Sequence, residues 1–207
     1  MSIDRARKIK LILFDVDGVL TDGSIWFFPA AAAGPRSTDA QRDQKGDAPG
    51  FGIQSQNMVE AKGFNAHDGT AISLARLGGL KTGMVTKRIS ETVALRARDL
   101  RIDHLYQGAE NKSMILDKIL AETGLQEEQV AYVGDDIIDL PIMRRCGLAI
   151  AVASARPQVK EIAHYQTPSS GGHGAARDAV EYILRAQGIL ERVVDAYIQA
   201  RTSLQQP

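Results

Sequence analysis

The chain has 207 residues, of which 44% are hydrophobic and 24% are charged, a composition typical of one folded domain with a substantial core. Lysine and arginine together number 25, as do aspartate and glutamate, so the formal net charge at pH 7 is zero. This balance excludes the basic excess of a dedicated nucleic-acid-binding protein, and no apolar stretch approaches the roughly 20 residues of a membrane span. We therefore expect no nucleic-acid partner and no membrane partner. The single cysteine excludes a disulfide framework, and because no signal peptide is visible we expect a cytoplasmic location.

Apolar strands and amphipathic helices alternate along most of the chain. The pattern predicts strands at 9–15, 80–86, 102–106, 130–135 and 148–152, with a weaker strand at 164–167. It predicts helices at 68–77, 90–100, 112–122, 137–145, 156–163 and 175–187. Continuous apolar strands that alternate with helices indicate an α/β fold, in which helices cover both faces of a parallel sheet. Ligands of such folds bind beyond the carboxyl ends of the strands.

One stretch breaks this alternation. Residues 24–28 and 58–64 are predicted to form the two arms of a β-hairpin. Residues 29–52 between them are rich in Ala, Gly, Pro, Asp and Gln, so we interpret them as a flexible, solvated loop without a functional element.

The carboxyl-terminal part has a second apolar pattern. Residues 190–203 carry apolar side chains at helical spacing, which predicts a helix that packs either on the domain or on another subunit. We expect one domain at 1–187, with the hairpin 24–64 as a flap, followed by a helix and tail at 188–207.

Two aspartates follow the first predicted strand. Asp15 and Asp17 are two residues apart, so their side chains point to the same side of an extended chain. Two like charges at the end of a buried strand are costly unless a cation compensates them, and hard carboxylate oxygens suit Mg²⁺. The alternative is an acidic turn, since Asp and Gly are common turn residues.

A second acidic motif follows the strand 130–135. Asp135, Asp136 and Asp139 lie where this strand runs into the next helix. A helix N-cap would explain Asp136 but not the whole set. Two strands that bring carboxylates to one edge of a sheet therefore favour a metal site over two acidic turns.

Thr86 and Lys112 suggest a phosphate site at the same edge. Thr86 ends a predicted strand, where its hydroxyl is able to donate to a phosphoryl oxygen. Lys112 begins a predicted helix, where its ammonium and the helix N-terminus both favour an anion. Each residue alone is typical of an ordinary strand end or surface lysine. Their order relative to the two acidic motifs is what indicates phosphate chemistry.

These motifs resemble those of a known family. In chain order they are DVDGVLTDG at 15–23, Thr86, Lys112 and GDDIID at 134–139. This order is similar to the four motifs of the haloacid dehalogenase superfamily of phosphotransferases. The similarity is closer to its capless branch, which contains octulosonate 8-phosphate phosphatases, and it extends from residue 9 to about residue 187. The resemblance implies a Rossmann-like α/β fold with a hairpin flap and no cap domain, and a Mg²⁺-dependent phosphatase.

The resemblance also implies a role for each motif residue. Asp15 is the nucleophile, Asp17 is general acid and then general base, and Thr86 and Lys112 hold the phosphoryl group. The implied ligands of Mg²⁺ are Asp15, the Asp17 backbone carbonyl and Asp135. The implied supporting residues are Asp136 and Asp139, the latter acting through metal-bound waters or through Lys112.

The implied substrate is a phosphorylated keto sugar acid. We expect 3-deoxy-D-manno-octulosonate 8-phosphate, with a nonulosonate 9-phosphate as the alternative. Arg88 favours the former, because the nonulosonate branch tends to carry an acidic residue there. The candidate substrate contacts are Asp17, Asn65, His67, Asp68, Gly69, Arg88, Arg96 and Lys112. For Arg96 the alternative is an ordinary surface arginine, and for His67 it is a hairpin residue without a substrate contact.

The sequence departs from the family pattern at two positions. His67 and Ser73 stand where the octulosonate enzymes carry arginines, a change that bears on the preferred sugar. Arg76, one helical turn further on, is the candidate to compensate.

The resemblance further implies a homotetramer in which hairpins and carboxyl-terminal tails of neighbours close each active site. Residues 171–175 would then be a mobile tail segment that reaches an active site. The remaining alternative is an accessory subunit similar to the small subunit of phenylphosphate carboxylase. The complete set of motif residues favours an enzyme, because a binding module needs no nucleophile.

Overall fold

The computed structural model describes residues 1–29 and 58–203, with side chains described up to residue 200. In this part of the chain the strands are β1 (Leu11–Phe14), β2 (Trp26–Pro29), β3 (Met58–Ala61), β4 (Lys81–Val85), β5 (His104–Tyr106), β6 (Val130–Gly134), β7 (Leu148–Ala151) and β8 (Tyr165–Gln166). The helices are α1 (Ser2–Ala6), α2 (Ala66–Leu77), α3 (Glu91–Leu100), α4 (Lys112–Thr123), α5 (Leu140–Met143), α6 (Pro157–Ile162), α7 (Ala175–Ala186) and α8 (Leu190–Ser203).

The main sheet is parallel and has β1 and β6 at its centre. Within the described residues its strand order is β5-β4-β1-β6-β7-β8. Every residue of β1, β6 and β7 is buried, which explains why these strands are apolar throughout instead of alternating. Helices α1, α2, α7 and α8 pack in one group and α4, α5 and α6 in another. The predicted parallel sheet with helical cover is confirmed, and the described residues contain no cap domain.

The predicted elements are found with small changes at their ends. The predicted helix 137–145 is divided, because a 3₁₀ turn at Ile137–Asp139 precedes the short helix α5. Three short elements are missing from the prediction: α1, an irregular turn at Val16–Leu20, and a 3₁₀ turn at Glu127–Gln129. Each has five residues or fewer, too short for a clear hydrophobic period.

The predicted hairpin is present as a separate two-stranded sheet. Strands β2 and β3 are antiparallel, with Trp26 opposite Ala61 and Pro29 opposite Met58. Two boundaries of the prediction need correction, because Pro29 ends β2 instead of opening the loop and the second arm stops at Ala61. Residues 30–52 of the predicted loop lie outside the described residues.

The carboxyl-terminal helix packs on its own domain. In α8, Leu190 and Val193 are buried, and the helix contacts α2 and α7. Of the two predicted packing partners, the structure therefore shows the domain. Among the described helices, none combines the length and the apolar character that crossing a membrane requires.

Candidate active site

The two acidic motifs meet at the carboxyl edge of the sheet. Asp15 follows β1, and its backbone N–H donates to the carbonyl oxygen of Val133 in β6 at 3.0 Å. Asp135 follows β6, which is the parallel neighbour of β1. Ligand oxygens of Asp15, Asp135 and Asp139 all lie within 4.8 Å of one another. The predicted convergence of the motifs is therefore confirmed.

A buried lysine links two of these carboxylates. Lys112 is the first residue of α4, and only 1% of it is exposed. Its Nζ lies 2.8 Å from Asp15 Oδ2 and 2.6 Å from Asp139 Oδ1, and it donates to the Tyr132 hydroxyl at 3.0 Å. Burial alone lowers the pKa of a lysine, but the charges of Asp15 and Asp139 raise the pKa of Lys112 above its ordinary value. The side chain is therefore a permanent cation at the base of the site.

Both oxygens of the Asp139 carboxylate accept hydrogen bonds from groups of the protein itself. Its Oδ1 accepts hydrogen bonds from Lys112 and from the Tyr132 hydroxyl, at 2.6 and 2.8 Å. Its Oδ2 accepts from the backbone N–H groups of Asp135 and Asp136, at 3.0 and 3.2 Å. Of the two supporting routes predicted for Asp139, the contacts favour the one through Lys112. Tyr132 is absent from the prediction, because a tyrosine within an apolar strand gives no signal of its polar contact.

Asp136 lies at the surface next to this cluster. It is exposed, and its Oδ1 accepts a hydrogen bond from the backbone N–H of Ile137 at 2.7 Å. This is the capping role that the sequence offered as the alternative to metal support.

Gly134, the last residue of β6, allows the strand to approach Asp139. A Cβ at this position would lie 2.7 Å from Asp139 Oδ2, so the absence of a side chain makes room for the carboxylate.

The cluster has an excess of negative charge. Asp135 Oδ1 is buried and, within the described residues, has no hydrogen-bond partner. Burial raises the pKa of Asp135 to about 8, and the charges of Asp15 and Asp139 add to this effect. Burial also raises the pKa of Asp15 to about 7, although the ammonium of Lys112 opposes the increase. An unpaired carboxylate oxygen among hard oxygen donors fits a divalent cation such as Mg²⁺.

The turn after β1 brings the main chain of Asp17 to the same place. Gly18 has φ = 87°, and a Cβ there would lie 2.1 Å from Asp135 Oδ2. Glycine is therefore required by the backbone conformation and by the close contact. Because Gly18 directly follows Asp17, the backbone segment with the implied carbonyl ligand lies beside Asp135.

The side chain of Asp17 is held by residues near the hairpin. Lys62 Nζ lies 2.5 Å from Asp17 Oδ1 and 3.5 Å from Glu60 Oε1. Arg88 donates to Glu60 Oε2 at 2.9 Å, and its Nε lies 3.9 Å from Asp17 Oδ2. Lys62 and Glu60 are absent from the sequence prediction. The available signal was an acid and a base two residues apart, which places both side chains on one side of an extended segment.

Thr86 lies at the same edge, directly after β4. It is 2% exposed, and its backbone N–H donates to the carbonyl oxygen of Tyr106 at 2.9 Å. Its hydroxyl oxygen accepts from the backbone N–H of Arg88 at 3.3 Å. Because β4 is the other parallel neighbour of β1, Thr86 and Asp15 both follow strands that end at the carboxyl edge of the sheet.

Asp68, one of the predicted substrate contacts, has partners within the protein. It is buried, and its carboxylate accepts the backbone N–H groups of Gly174 at 3.2 Å and Arg177 at 3.1 Å. It therefore caps the N-terminus of α7. The structure thus gives Asp68 a structural role, and its role as a substrate contact stays a prediction.

The positions that replace the family's arginines lie on α2. Asn65 caps this helix by accepting the backbone N–H of His67 at 2.7 Å, and the His67 side chain is exposed. Ser73 lies within the helix and is half-buried. Arg76, the candidate to compensate, donates to the carbonyl oxygen of Leu100 at 3.2 Å. This contact ties Arg76 to the end of α3.

Arg96 is half-buried and contacts several neighbouring residues. Its guanidinium carbon lies 5.6 Å from the centre of the Phe64 ring, and one nitrogen lies 2.7 Å from Asp99 Oδ2. A Cβ at Gly69 would lie 2.6 Å from another of its nitrogens, so the glycine makes room for the guanidinium. Its side chain is 23% exposed.

The loop before α7 packs against the chain's own turn after β1. Gly172 donates from its backbone N–H to the carbonyl oxygen of Val19 at 2.9 Å, and its carbonyl accepts from Asn65 Nδ2 at 3.2 Å. A Cβ at Gly171 would lie 1.7 Å from the carbonyl oxygen of Gly18. The segment expected to be a mobile tail is therefore packed in place, beside the active site of the same chain.

Comparison with known proteins agrees with this geometry. A family model described as haloacid dehalogenase-like hydrolase matches residues 87–177. The chain is 36% identical to 3-deoxy-D-manno-octulosonate 8-phosphate phosphatase of Escherichia coli (strain K12) over 189 residues, which cover 91% of this chain and 86% of the relative. This chain belongs to the haloacid dehalogenase-like hydrolases.

Solved structures of the family extend the likeness to the fold. The 3-deoxy-D-manno-octulosonate 8-phosphate phosphatase of Yersinia pestis matches with a TM-score of 0.76 and 37% identity, covering 92% of this chain and 88% of that one. The corresponding phosphatase of Moraxella catarrhalis, in complex with a magnesium ion, a phosphate ion and a KDO molecule, matches with a TM-score of 0.78 and 29% identity. That match covers 94% of this chain and 97% of the other. The family resemblance suggested by the motifs is thus confirmed over almost the whole length.

Proposed function

We propose that this chain is a magnesium-dependent phosphatase that hydrolyses 3-deoxy-D-manno-octulosonate 8-phosphate through a phosphoryl group carried on Asp15. The observation that carries the proposal is the buried pair of Asp15 and Lys112 beside Asp135, whose Oδ1 has no hydrogen-bond partner among the described residues. A nucleophile, a cation and a free ligand oxygen are the parts that phosphoryl transfer to a carboxylate needs. The substrate is the one named for the relatives in Escherichia coli and Yersinia pestis.

In the first step a carboxylate oxygen of Asp15 attacks phosphorus. The bond between phosphorus and the ester oxygen breaks, and the departing sugar oxygen takes a proton from the Asp17 carboxyl group. Lys112, already in contact with Asp15, and the hydroxyl of Thr86 stabilise the negative charge on the transferring group. The sugar acid is released, and the phosphoryl group stays on Asp15.

In the second step water attacks the phosphorus of the aspartyl phosphate. Asp17, now ionised, accepts the proton of the attacking water, and the bond between phosphorus and Asp15 breaks. Inorganic phosphate leaves, and both aspartates return to their starting protonation states.

The residues present fit Mg²⁺ as the cofactor. Asp15, Asp135 and the backbone carbonyl of Asp17 would hold it, while Asp139 keeps Lys112 and the end of β6 in position. When bound, Mg²⁺ supplies charge that stabilises the phosphoryl oxygens and lowers the cost of bringing an anion to a carboxylate.

Arg88 is the proposed contact for the carboxylate of the sugar acid. Its guanidinium lies beside Asp17 and has a partner in Glu60, and its Nε is buried without a hydrogen-bond partner in the described part of the chain. A guanidinium is suited to a carboxylate because it offers several donors in a planar fork. Arg96 and the residues at the start of α2 are the further candidates, held close together by the contact between Gly69 and Arg96.

The hairpin supports a homotetramer as the working assembly. Trp26, Phe28 and Val59 are 59%, 52% and 48% exposed on a two-stranded sheet. Such a sheet is marginal by itself, and exposed apolar groups of this size are usually covered by another chain. Light scattering of the purified protein tests this: four chains are expected, and a monomer would contradict the assembly.

A substrate panel tests the proposed activity. Purified protein is assayed for phosphate release from 3-deoxy-D-manno-octulosonate 8-phosphate, a nonulosonate 9-phosphate, a neutral sugar phosphate and an aryl phosphate, with Mg²⁺ and with a chelator. We expect the highest kcat/KM for the octulosonate ester and no turnover in chelator. Higher kcat/KM for the nonulosonate ester would change the substrate, and no phosphate release from any ester would refute the enzyme.

A further inference from the structure

A lysine beside the hairpin touches the group that must transfer the proton. The side chain of Lys62 is fully buried, and its Nζ lies 2.5 Å from Asp17 Oδ1. Among the described residues it is the hydrogen-bond donor to the Asp17 carboxylate, because Arg88 Nε is 3.9 Å away and makes no hydrogen bond. Within the described chain, the orientation of the acid–base side chain therefore depends on a residue that lies outside the four motifs.

We propose that Lys62 is a positioning residue that fixes the Asp17 carboxyl group for proton transfer to the departing oxygen. This inference rests on the proposed function. Asp17 needs such a contact because it lies on a turn, next to Gly18 with φ = 87°, and its side chain is 22% exposed. A carboxyl group that samples several rotamers reaches the leaving oxygen only part of the time, and misplacement by about 1 Å is enough to slow a reaction by about 100-fold.

The position of Lys62 is itself fixed by the domain. Glu60, on the same side of the chain, lies 3.5 Å from Lys62 Nζ and accepts a hydrogen bond from Arg88 at 2.9 Å. The carbonyl oxygen of Glu60 also accepts from the Thr92 hydroxyl in α3, at 3.1 Å. These contacts hold the end of β3 against the segment after β4 and against α3. The position of Lys62 next to Asp17 is therefore also fixed.

Lys62 belongs to a group of four ionisable residues in mutual contact. The cations of Lys62 and Arg88 face the carboxyl groups of Asp17 and Glu60. Removal of the Lys62 ammonium would leave Asp17 without its hydrogen bond while the pair of Glu60 and Arg88 persists. The effect should therefore fall on proton transfer more than on substrate binding.

Leaving-group dependence distinguishes this role from a merely structural one. A poor leaving group such as phenoxide needs protonation as it departs, whereas p-nitrophenoxide leaves readily without it. The kinetic constant to measure is kcat/KM, which reports the steps up to departure of the leaving group and not the later hydrolysis of the aspartyl phosphate. The experiment compares kcat/KM for phenyl phosphate and p-nitrophenyl phosphate in wild type, Lys62→Met, Lys62→Gln and Lys62→Arg.

We expect kcat/KM of Lys62→Met for phenyl phosphate to fall about 100-fold, the lower end of general acid catalysis, and that for p-nitrophenyl phosphate to fall at least about tenfold less. Lys62→Arg, which keeps a cation, should restore most of the phenyl phosphate activity. Equal losses for both esters in Lys62→Met, or no rescue by arginine, would overturn the inference.

Two controls separate this result from other failures. Lys81→Met removes a lysine from an ion pair of 2.8 Å with Asp103, at the start of β4 and away from the site, and should leave both rates unchanged. If Lys62→Met does not fold, as judged by circular dichroism, the comparison of Lys62→Gln with Lys62→Arg decides by the same criteria. A wild-type protein inactive on every ester would refute the proposed function itself, whereas an active wild type with equal losses refutes only the role of Lys62.

Discussion

At the carboxyl edge of the sheet, Asp15 and Asp135 follow β1 and β6, two strands in which every residue is buried. The hairpin formed by β2 and β3 differs, because it packs as a separate two-stranded sheet and exposes Trp26 and Phe28. Both regions contribute to one site: the edge supplies Asp15, and the segment after β3 supplies Lys62. Under the proposed function, the nucleophile and the residue that positions the proton donor therefore come from different parts of the molecule.

This difference explains how the two regions tolerate charge. At the edge, Lys112 is surrounded by Asp15, Asp139 and Tyr132, so every change there disturbs several buried contacts. Near the hairpin, the side chains of Arg88 and Glu60 are 24% and 13% exposed, so solvent screens their ion pair more than those of Lys112. We therefore expect the loss of a charge at the edge to affect both chemistry and stability, and the loss of a charge near the hairpin to affect rate or specificity more than stability.

The largest effect is expected for Asp15→Asn at the sheet edge. An amide is not a nucleophile toward phosphorus, so kcat should fall by about 10⁴-fold or more, as for other lost nucleophiles. The fold should persist, since asparagine has nearly the same size. Phosphate release measures the activity and circular dichroism the fold. Activity near the wild-type level would remove Asp15 as nucleophile.

The second largest effect is expected for Lys112→Met, which tests how much the buried ion pairs at the edge contribute to stability. Loss of this cation leaves two buried carboxylates without their ion pair, and breaking a buried pair typically costs about 3–5 kcal/mol of unfolding free energy. Activity should fall as well, because the cation also faces the transferring group. Denaturant unfolding and phosphate release are the two measurements.

The control for Lys112→Met is Lys81→Met. Its ion pair with Asp103 involves a lysine side chain that is 65% exposed, so the loss should be below about 1 kcal/mol. Equal destabilisation by the two variants would mean that burial at the edge does not strengthen its ion pair.

The edge was also the part that the sequence predicted well. Asp15 and Asp135 each end a continuous apolar strand, and parallel strands bring their carboxyl ends together, so the convergence followed from periodicity. Thr86 and Lys112 were assigned from the fixed order of the motifs in the family, and their roles stay predictions.

The contacts near the hairpin were not predictable in the same way. Lys62 lies 45 residues from Asp17 in the chain, and no period or motif links the two. Tyr132 has the same difficulty, because its ring belongs to the apolar strand pattern while its hydroxyl serves Asp139. Asp68 is a further case, because no local pattern indicated that its carboxylate accepts backbone N–H groups at the start of α7. Long-range polar contacts depend on how elements pack, and this information is absent from local patterns.

The third prediction concerns the affinity of the edge for Mg²⁺ and its dependence on pH. Burial raises the pKa of Asp135 to about 8 and that of Asp15 to about 7, so in metal-free protein both groups gain protons as the pH falls through this range. Mg²⁺ must displace these protons, and its affinity should weaken about tenfold per pH unit for each proton displaced. Calorimetric titrations at pH 8.5 and pH 6 measure this, and equal affinity at both would contradict the raised pKa values.

The fourth prediction moves to the hairpin side of the site. Arg88→Ala removes the proposed carboxylate contact, so KM for the octulosonate ester should rise about tenfold, the value of one charge-assisted hydrogen bond. KM for a neutral sugar phosphate should change much less. Arg88→Lys is the matched variant, because it keeps the charge and loses the planar fork. A similar rise for both esters would remove the carboxylate role.

The smallest effect is expected for Tyr132→Phe, which tests how much one hydroxyl group contributes to the stability of the buried edge. The hydroxyl donates to Asp139 at 2.8 Å and accepts from Lys112 at 3.0 Å, but each partner keeps other hydrogen bonds when it is lost. We therefore expect a loss of about 1–2 kcal/mol in unfolding free energy and a kcat close to that of wild type. Tyr106→Phe is the control, since its hydroxyl donates to the exposed Glu122 at 2.7 Å in a different part of the sheet, and it should cost less. If Tyr132→Phe destabilised the protein as much as Lys112→Met, the edge would depend on a single linked chain of hydrogen bonds, and the ion pair would not be its main source of stability.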